Sequence, residues 1–370
     1  MAIQILNSFI TGVFWIALPL MMEERNIDIV TMGFVFASMP VIFQVGRMAF
    51  AIVSDFWGRK PFFLLSGCLG IISSTIYTLA YTAVEFLFGK VIEGVKSASL
   101  WAVNRAFFLE NSRAKWKALV RLRTTTYIST AAGSLLAGFL VVQLLYERTL
   151  MLCSLMFTAV IPLSLLLSSK GRKRLSASSA FYALDFRKKS RIFKVCFLLF
   201  FVMGLSFGFV GGFVYPLFLS SNGFDAEIIG TIMGLQILLA GLISHVFSAR
   251  FEIRKLILAS GMMYTILLVL IGLSGAIFAG ILVVAYGFVE GLLSIGQEGI
   301  LTRITDEGSY GTDIGLLWTG HHVGRTFSLA MAGLVISWFG FSTLFLISAL
   351  TYVVFYAGSY IALRFPPRDV

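Results

Sequence analysis

SSKGRKRLSASSAFYALDFRKKSRIFK, residues 168–194, is the one long polar stretch in the chain. It carries nine basic residues, Lys170, Arg172, Lys173, Arg174, Arg187, Lys188, Lys189, Arg191 and Lys194, against a single acid, Asp185. The sequence on both sides is almost continuously apolar, and the half after the stretch repeats the half before it. Pro19, Asp28, Gly33, Glu93, Gly94, Glu110 and Ser112 recur 197 positions later as Pro216, Asp225, Gly230, Glu290, Gly291, Glu307 and Ser309. Asp55 recurs as Glu252, and a three-residue deletion moves Ser66-Gly67 to Ser260-Gly261 before the 197 spacing returns at Glu290. A chance match of common residues would not set seven identities, charges among them, at one spacing. The chain reads as a duplicated membrane unit: residues 1–168, a basic linker at 169–192, and residues 193–370.

Composition points the same way. Of 370 residues 58% are hydrophobic and 13% charged, and mean hydropathy is +0.91. A soluble domain cannot hide that much apolar surface, whereas a bilayer asks for ~20 mostly apolar residues per helix. The net charge of +11 could suggest a nucleic-acid partner. The basic residues sit between apolar segments, however, which is a signature of membrane topology. Cys68, Cys153 and Cys196 are scattered and form neither a disulfide framework nor a metal spacing. No metal site, cofactor or nucleic-acid partner is read. The first apolar run has no basic lead and no small-residue cleavage site, so it reads as a retained span rather than a signal peptide. Whether a lead precedes residue 1 stays open.

Twelve apolar stretches are counted, at 2–22, 29–53, 61–83, 85–108, 118–143 and 149–168, then 193–219, 226–248, 255–274, 276–302, 314–338 and 342–363. Six spans per half bring the second half in on the same side as the first. The repeats are then parallel, related by an axis along the membrane normal. With both termini and the linker in the cytoplasm, the inner loops collect Arg59 and Lys60, the cluster from Arg113 to Arg123, the linker, Arg250, Arg254, Lys255, Arg303, Arg364 and Arg368. The outer loops keep only Arg25 and Arg148, as the positive-inside rule asks.

The turn after the second span reads Ala51-Ile-Val-Ser-Asp55-Phe-Trp-Gly58-Arg59-Lys60-Pro61. It resembles the loop motif of the major facilitator superfamily, Gly-x-Leu-Ala-Asp-Arg-x-Gly-Arg-Lys. Asp55, Gly58, Arg59 and Lys60 match; Ala51, Val53 and Phe56 depart from it. The resemblance implies a twelve-helix, all-α membrane fold of two six-helix bundles, a secondary transporter, and a pairing of Arg59 with Glu110. The fourth span, Gly89-Lys90-Val-Ile-Glu93-Gly94-Val-Lys96, is similar to the family's Arg-x-x-Gln-Gly-x-Gly motif, with Lys90 at the Arg and Glu93 at the Gln. The fifth, Ala132-Gly133-Ser134-Leu-Leu-Ala137-Gly138, is similar to the exporters' Gly-Pro-x-x-Gly-Gly but lacks the Pro.

Charges inside helices are the most informative residues, because an ionised group at mid-bilayer costs ~2.5–3.5 kcal/mol on insertion scales. Lys90, Glu93 and Lys96 share a helix face; Lys90–Glu93 reads equally as a self-neutralising pair. The family's fold brings the fourth and tenth helices to a central cavity, so Lys96 and Glu290 are read as its working pair. Arg325, one turn after His321 and His322, either serves the cavity or locks to Glu298. Thr11, Tyr127 and Phe207 complete the expected lining. Adjacent histidines point ~100° apart, so His321 and His322 cannot both face the cavity. Burial favours the neutral form of a carboxylate, which makes Glu93, Glu290 and Glu298 the proton-coupling candidates. Arg47 and Asn104-Arg105 read as parts of a cytoplasmic gate.

No nucleophile elbow, phosphate loop or zinc-protease motif appears. The expected protein is a monomeric plasma-membrane transporter of a small anionic or polar organic solute, coupled to protons. Two alternatives stay open: a proton-antiport drug exporter, and a transporter-like receptor or assembly protein that moves nothing.

Overall fold

The computed structural model describes residues 1–110, 115–167, 186–247, 252–304 and 310–363. Most of the basic stretch, Ser112, Glu307, Ser309 and the cations Arg113, Arg250, Arg364 and Arg368 lie outside the described residues, as do the side chains of Asp55, Phe56 and Glu110.

The described chain is helical throughout. Helices α1 (Ala2–Glu24), α2 (Ile29–Trp57), α3 (Lys60–Leu79), α4 (Ala83–Glu110), α5 (Lys115–Thr158) and α6 (Val160–Leu165) precede the basic stretch. After it come α7 (Arg191–Val210), α8 (Val214–Ser221), α9 (Ala226–Phe247), α10 (Ile253–Leu273), α11 (Ala276–Ile304) and α12 (Tyr310–Ala362). Among the described residues, nine helical stretches are long and apolar enough to cross a bilayer. Their outer faces carry exposed Leu166, Leu273, Ile277 and Trp338, a surface suited to lipid and not to water.

Two helices double back. In α5 the backbone breaks at Leu145 (φ 66°). Glu147, just past the break, meets Arg25 at 2.7 Å, while Leu165 returns to accept a hydrogen bond from Lys60 at 2.6 Å. In α12 the break is at Gly340 (φ 79°). The spans expected separately at 118–143 and 149–168, and at 314–338 and 342–363, are thus joined by tight reversals.

Repeat mates do the same work in both halves. Asp28 caps α2 by accepting from the Thr31 amide at 2.9 Å, and Asp225 caps α9 by accepting from the Ile228 amide at 2.9 Å. Thr31, through its side chain and its amide, holds the Asp28 carboxyl below the usual carboxylate range. Gly33 and Gly230 each press against the backbone of the opposite half. A Cβ on Gly33 would stand 2.9 Å from the Leu329 carbonyl oxygen, and one on Gly230 2.7 Å from that of Ser134. The helices α2 and α12, and α5 and α9, therefore pack backbone to backbone at the end of the bundle opposite the basic loops.

At the basic-loop end the same helix pairs meet through side chains. Gln44 donates to the Thr319 hydroxyl, Arg47 donates to the Gly315 carbonyl at 3.0 Å, and Thr124 meets His245 at 3.2 Å. Of the expected gate residues, Arg47 thus bridges the halves, whereas Asn104 bonds Gln4 within the first.

Candidate solute-binding cavity

The cavity forms where a span is interrupted. The expected continuous span at 193–219 stops at Val210 and restarts at Val214, with Gly212 at φ +65° between. Glycine takes that backbone without steric cost. Gly211 and Gly212 stand where the first half has Phe14 and Trp15. The interruption opens a cavity of about 340 Å³, within the range of small-molecule sites.

The second half supplies most of the wall: Phe207 and Tyr215 beside the break, Gln236 from α9, Glu290 and Glu298 from α11, and Trp318, His321 and Arg325 from α12. The first half adds Trp15, Arg123 and Tyr127. Six of the lining side chains are Phe, Tyr or Trp: Trp15, Tyr127, Phe207, Tyr215, Tyr286 and Trp318. Phe207 packs edge-on to His321 at 6.0 Å, and Trp318 to His321 at 4.9 Å.

Eight polar or charged side chains share the wall with them. Glu290 accepts a hydrogen bond from the Gln236 amide. Gln236 can reach it because Gly287, one turn before Glu290, leaves no Cβ between α11 and the Gln236 carbonyl. Arg123 and Glu298 face each other at 3.9 Å, each one-third exposed (33%), so this pair carries little energy. Three buried atoms in the wall, Arg325 Nε, Tyr215 Oη and His321 Nδ1, have no hydrogen-bond partner.

Of the expected site residues, Glu290, Glu298, Arg325, Tyr127 and Phe207 come together here. Lys96, Glu93 and Thr11 do not line the cavity. Lys96 is buried within the first half, its ammonium 5.1 Å from the Phe157 ring centroid, so the structure does not bring it to Glu290. Glu93 accepts from Lys90 at 2.8 Å and from the Tyr77 hydroxyl at 2.7 Å. Lys90 also lies 4.5 Å over the Phe36 ring. Thr11 turns back to the Asn7 carbonyl at 2.8 Å. Glu298 faces Arg123. His321 enters the cavity wall while His322 packs on Phe43 at 5.1 Å, as their angular separation requires.

Sequence reasoning counts Gln236, Trp15 and Tyr215 among residues able to line a cavity but favours helix packing for them, and it passes over Arg123. Gln236 carried a signal: an amide in the middle of an apolar span, where the first half has Met39. Arg123 was counted with the basic loop cluster, and its distance in sequence from Glu298 hid their meeting.

The sequence profile of the Major Facilitator Superfamily matches residues 1–295. The chain belongs to the Major Facilitator Superfamily. No curated protein matches the sequence. Among solved structures, a point mutant of the nucleoside transporter NupG superimposes with a TM-score of 0.83 at 15% identity, over 98% of each chain. A second structure of NupG gives 0.80, again at 15% identity and 98% coverage of each chain. At that identity the likeness is one of fold.

The superfamily loop can be traced in part. Gly58 (φ +84°) ends α2, Arg59 donates to the Ser54 hydroxyl, and Lys60 holds the end of α6. The expected Arg59–Glu110 pairing needs the Glu110 side chain, which lies outside the described residues, as does that of Asp55. As a member of this superfamily the chain is a multi-pass membrane transporter.

Proposed function

We propose that the protein moves a small polar organic solute bearing a flat ring, by alternating access, in step with a proton. The observation that carries this is the convergence of Glu290, Arg325 and unpartnered Tyr215 and His321 atoms in one aromatic-walled cavity. Ionisable groups in a membrane interior mark substrate and proton paths. Units 1–168 and 193–370 rock about this cavity, and 169–192 tethers them on the cytoplasmic side. The backbone-packed end faces outward and the side-chain-bridged end inward, with both termini in the cytoplasm.

Glu290 is the proton carrier in this reading. Glu298 keeps Arg123 company at the inner mouth, and Glu93 is a structural partner of Lys90. The wall residues Arg123 and Arg325 balance Glu290 and Glu298, so an excess of fixed cations no longer argues for an anion by itself. The same two arginines disfavour the drug-exporter alternative, which asks for an acidic cavity without fixed cations. The neighbouring nucleoside transporter supports a ring-bearing polar solute in a fold of this shape.

Uptake of a panel of ring-bearing polar solutes into proteoliposomes, with and without an imposed pH gradient, tests the reading. At least one solute should accumulate with the gradient and fail to do so with Glu290→Gln. If no solute responds to the gradient in the wild-type protein, proton coupling is wrong; if none crosses at all, the receptor alternative takes its place.

A further inference from the structure

The last residues of the basic linker fold back on the second half. A single turn at Phe186–Lys188 sets the Phe186 ring edge-on to Phe197 of α7 at 5.0 Å, and Ser190 caps α7 by accepting from the Phe193 amide at 3.1 Å. Between them Lys189 reaches α12 and donates to Asp313 at 2.5 Å. The Asp313 side chain is 1% exposed and that of Lys189 13%, so the pair is largely desolvated. Taking Lys189 away would leave a buried carboxylate without this cation, which strains the helix turn that carries it.

Asp313 stands in the first turn of α12, and the same stretch of α12 carries the contact with the first half. Two residues on, the Gly315 carbonyl accepts from Arg47 at 3.0 Å and from the Thr319 hydroxyl at 2.9 Å, and Thr319 in turn accepts from Gln44. Helices α7 and α12 lie too close to slide apart freely: a Cβ on Gly320 would stand 2.7 Å from the Phe197 carbonyl oxygen. The linker end, α7 and the start of α12 thus form one piece that meets α2.

That meeting is imperfect. Arg47 Nη1, Gln44 Oε1 and His322 Nδ1 are buried there without a hydrogen-bond partner, with His322 packed on Phe43 of α2 at 5.1 Å. Each would gain a bond to water if α2 and α12 parted at the basic-loop end. The closure at the opposite end carries no such strain. Gly33 and Gly230 bring no side chain to it, and Ser220 donates to Glu23 across the halves at 2.8 Å. One closure is satisfied as it stands; the other needs a restraint.

We infer that the end of the linker is that restraint: Lys189, seated on Asp313, fixes the first turn of α12 against α2 and keeps the basic-loop end closed. Release of Lys189 lets water reach Arg47, Gln44 and His322, and the cavity opens toward the basic loops. Lys189 and Asp313 are positioning residues, and neither lines the cavity. The inference rests on the alternating-access reading above and adds to it a strap that sets which way the empty carrier faces.

Spin labels on the full chain in lipid nanodiscs test this without any solute. With Cys68, Cys153 and Cys196 replaced by Ala, labels on cysteines placed at Trp57 and Lys255 span the basic-loop end, and labels at Tyr81 and Leu273 span the opposite end; all four side chains are exposed. Pulsed electron–electron double resonance reads both distances. Lys189→Met should move the Trp57–Lys255 pair to longer distances, raising the ratio of open to closed molecules at least ~10-fold, and leave the Tyr81–Leu273 pair unchanged. Lys189→Arg should keep the parent distribution. Lys189→Met with Asp313→Leu, which leaves no carboxylate buried at that turn, should open like the single variant. Unchanged distances in both Lys189→Met proteins, or widening at both ends together, would overturn the strap. So would a double variant that stays closed while Lys189→Met opens, since a stray buried charge then explains the effect. Flux separates the two readings. Solute uptake with no opening in these variants leaves the transporter and removes the strap; opening with no solute flux does the reverse.

Discussion

Glu93 and Glu290 hold equivalent places in the two halves, and almost everything around them differs. Glu93 is fully engaged: Lys90 and Tyr77 both donate to it, and the cavity does not reach it. At the position of Lys90 the second half has Gly287, and at that of Met39 it has Gln236. The glycine lets α11 settle on the α9 backbone and brings the Gln236 amide to Glu290. In the second half the span is also interrupted beside Arg325, where α1 runs on unbroken in the first. One duplicated carboxylate became a sealed ion pair; the other became a wall residue with room beside it. Position in the repeat does not decide which partners an acid finds here.

The sharpest way to break this comparison is to neutralise each acid in turn. Glu290→Gln should reduce gradient-driven uptake to that of protein-free vesicles while leaving the thermal midpoint in detergent near the wild-type value. Glu93→Gln should do the reverse. It leaves Lys90 buried without its anion, which costs ~3–5 kcal/mol, and transport per folded molecule should survive. Removing the pair together sharpens the point. Lys90→Met with Glu93→Met should regain only part of that loss, because buried Lys96 beside them keeps its charge and loses the Glu93 carboxylate.

Gly287→Ala comes next. A methyl there meets the Gln236 carbonyl, so α11 must shift at a cost of ~1–3 kcal/mol. The Gln236–Glu290 bond should weaken, moving the pH dependence of uptake without abolishing it. Smallest are the two helix caps, which the halves share. Asp28→Ala and Asp225→Ala should each lower stability by ~1 kcal/mol at neutral pH. Because the Asp28 carboxyl lies below its usual range, its contribution is full above the ordinary carboxylate value of ~3.9 and fades as pH falls through the depressed one. Thermal midpoints of Asp28→Ala and wild type should therefore converge in acid.

Helical class, membrane setting and superfamily were legible in the sequence because they rest on long-range averages: apolar run lengths, the bias of basic loops and a repeat at one spacing. The loop motif carried the family through Asp55, Gly58, Arg59 and Lys60. Part of the candidate cavity wall was legible as well, since Glu290 and Arg325 are charges costly to set against lipid. What was not legible depended on which neighbour a charge finds. Lys96 looked like the partner of Glu290, yet its side chain turns into the first half beside Phe157. Arg123 looked like one more loop cation, yet it meets Glu298 across the chain. The Gly211-Gly212 break was written in the sequence, but a pair of glycines in an apolar run does not announce which side of a helix it opens.

The most direct test of the central claim is substrate-free. A hydrophobic carbodiimide reacts with protonated carboxyl groups in membrane interiors, and the adducts can be mapped by mass spectrometry across a pH series on protein in lipid. Glu290 should be labelled, more at acid than at alkaline pH, and Glu93, engaged by Lys90 and Tyr77, should stay unmodified. Labelling of Glu93 with Glu290 left untouched would contradict the assignment of the working carboxylate to the second half.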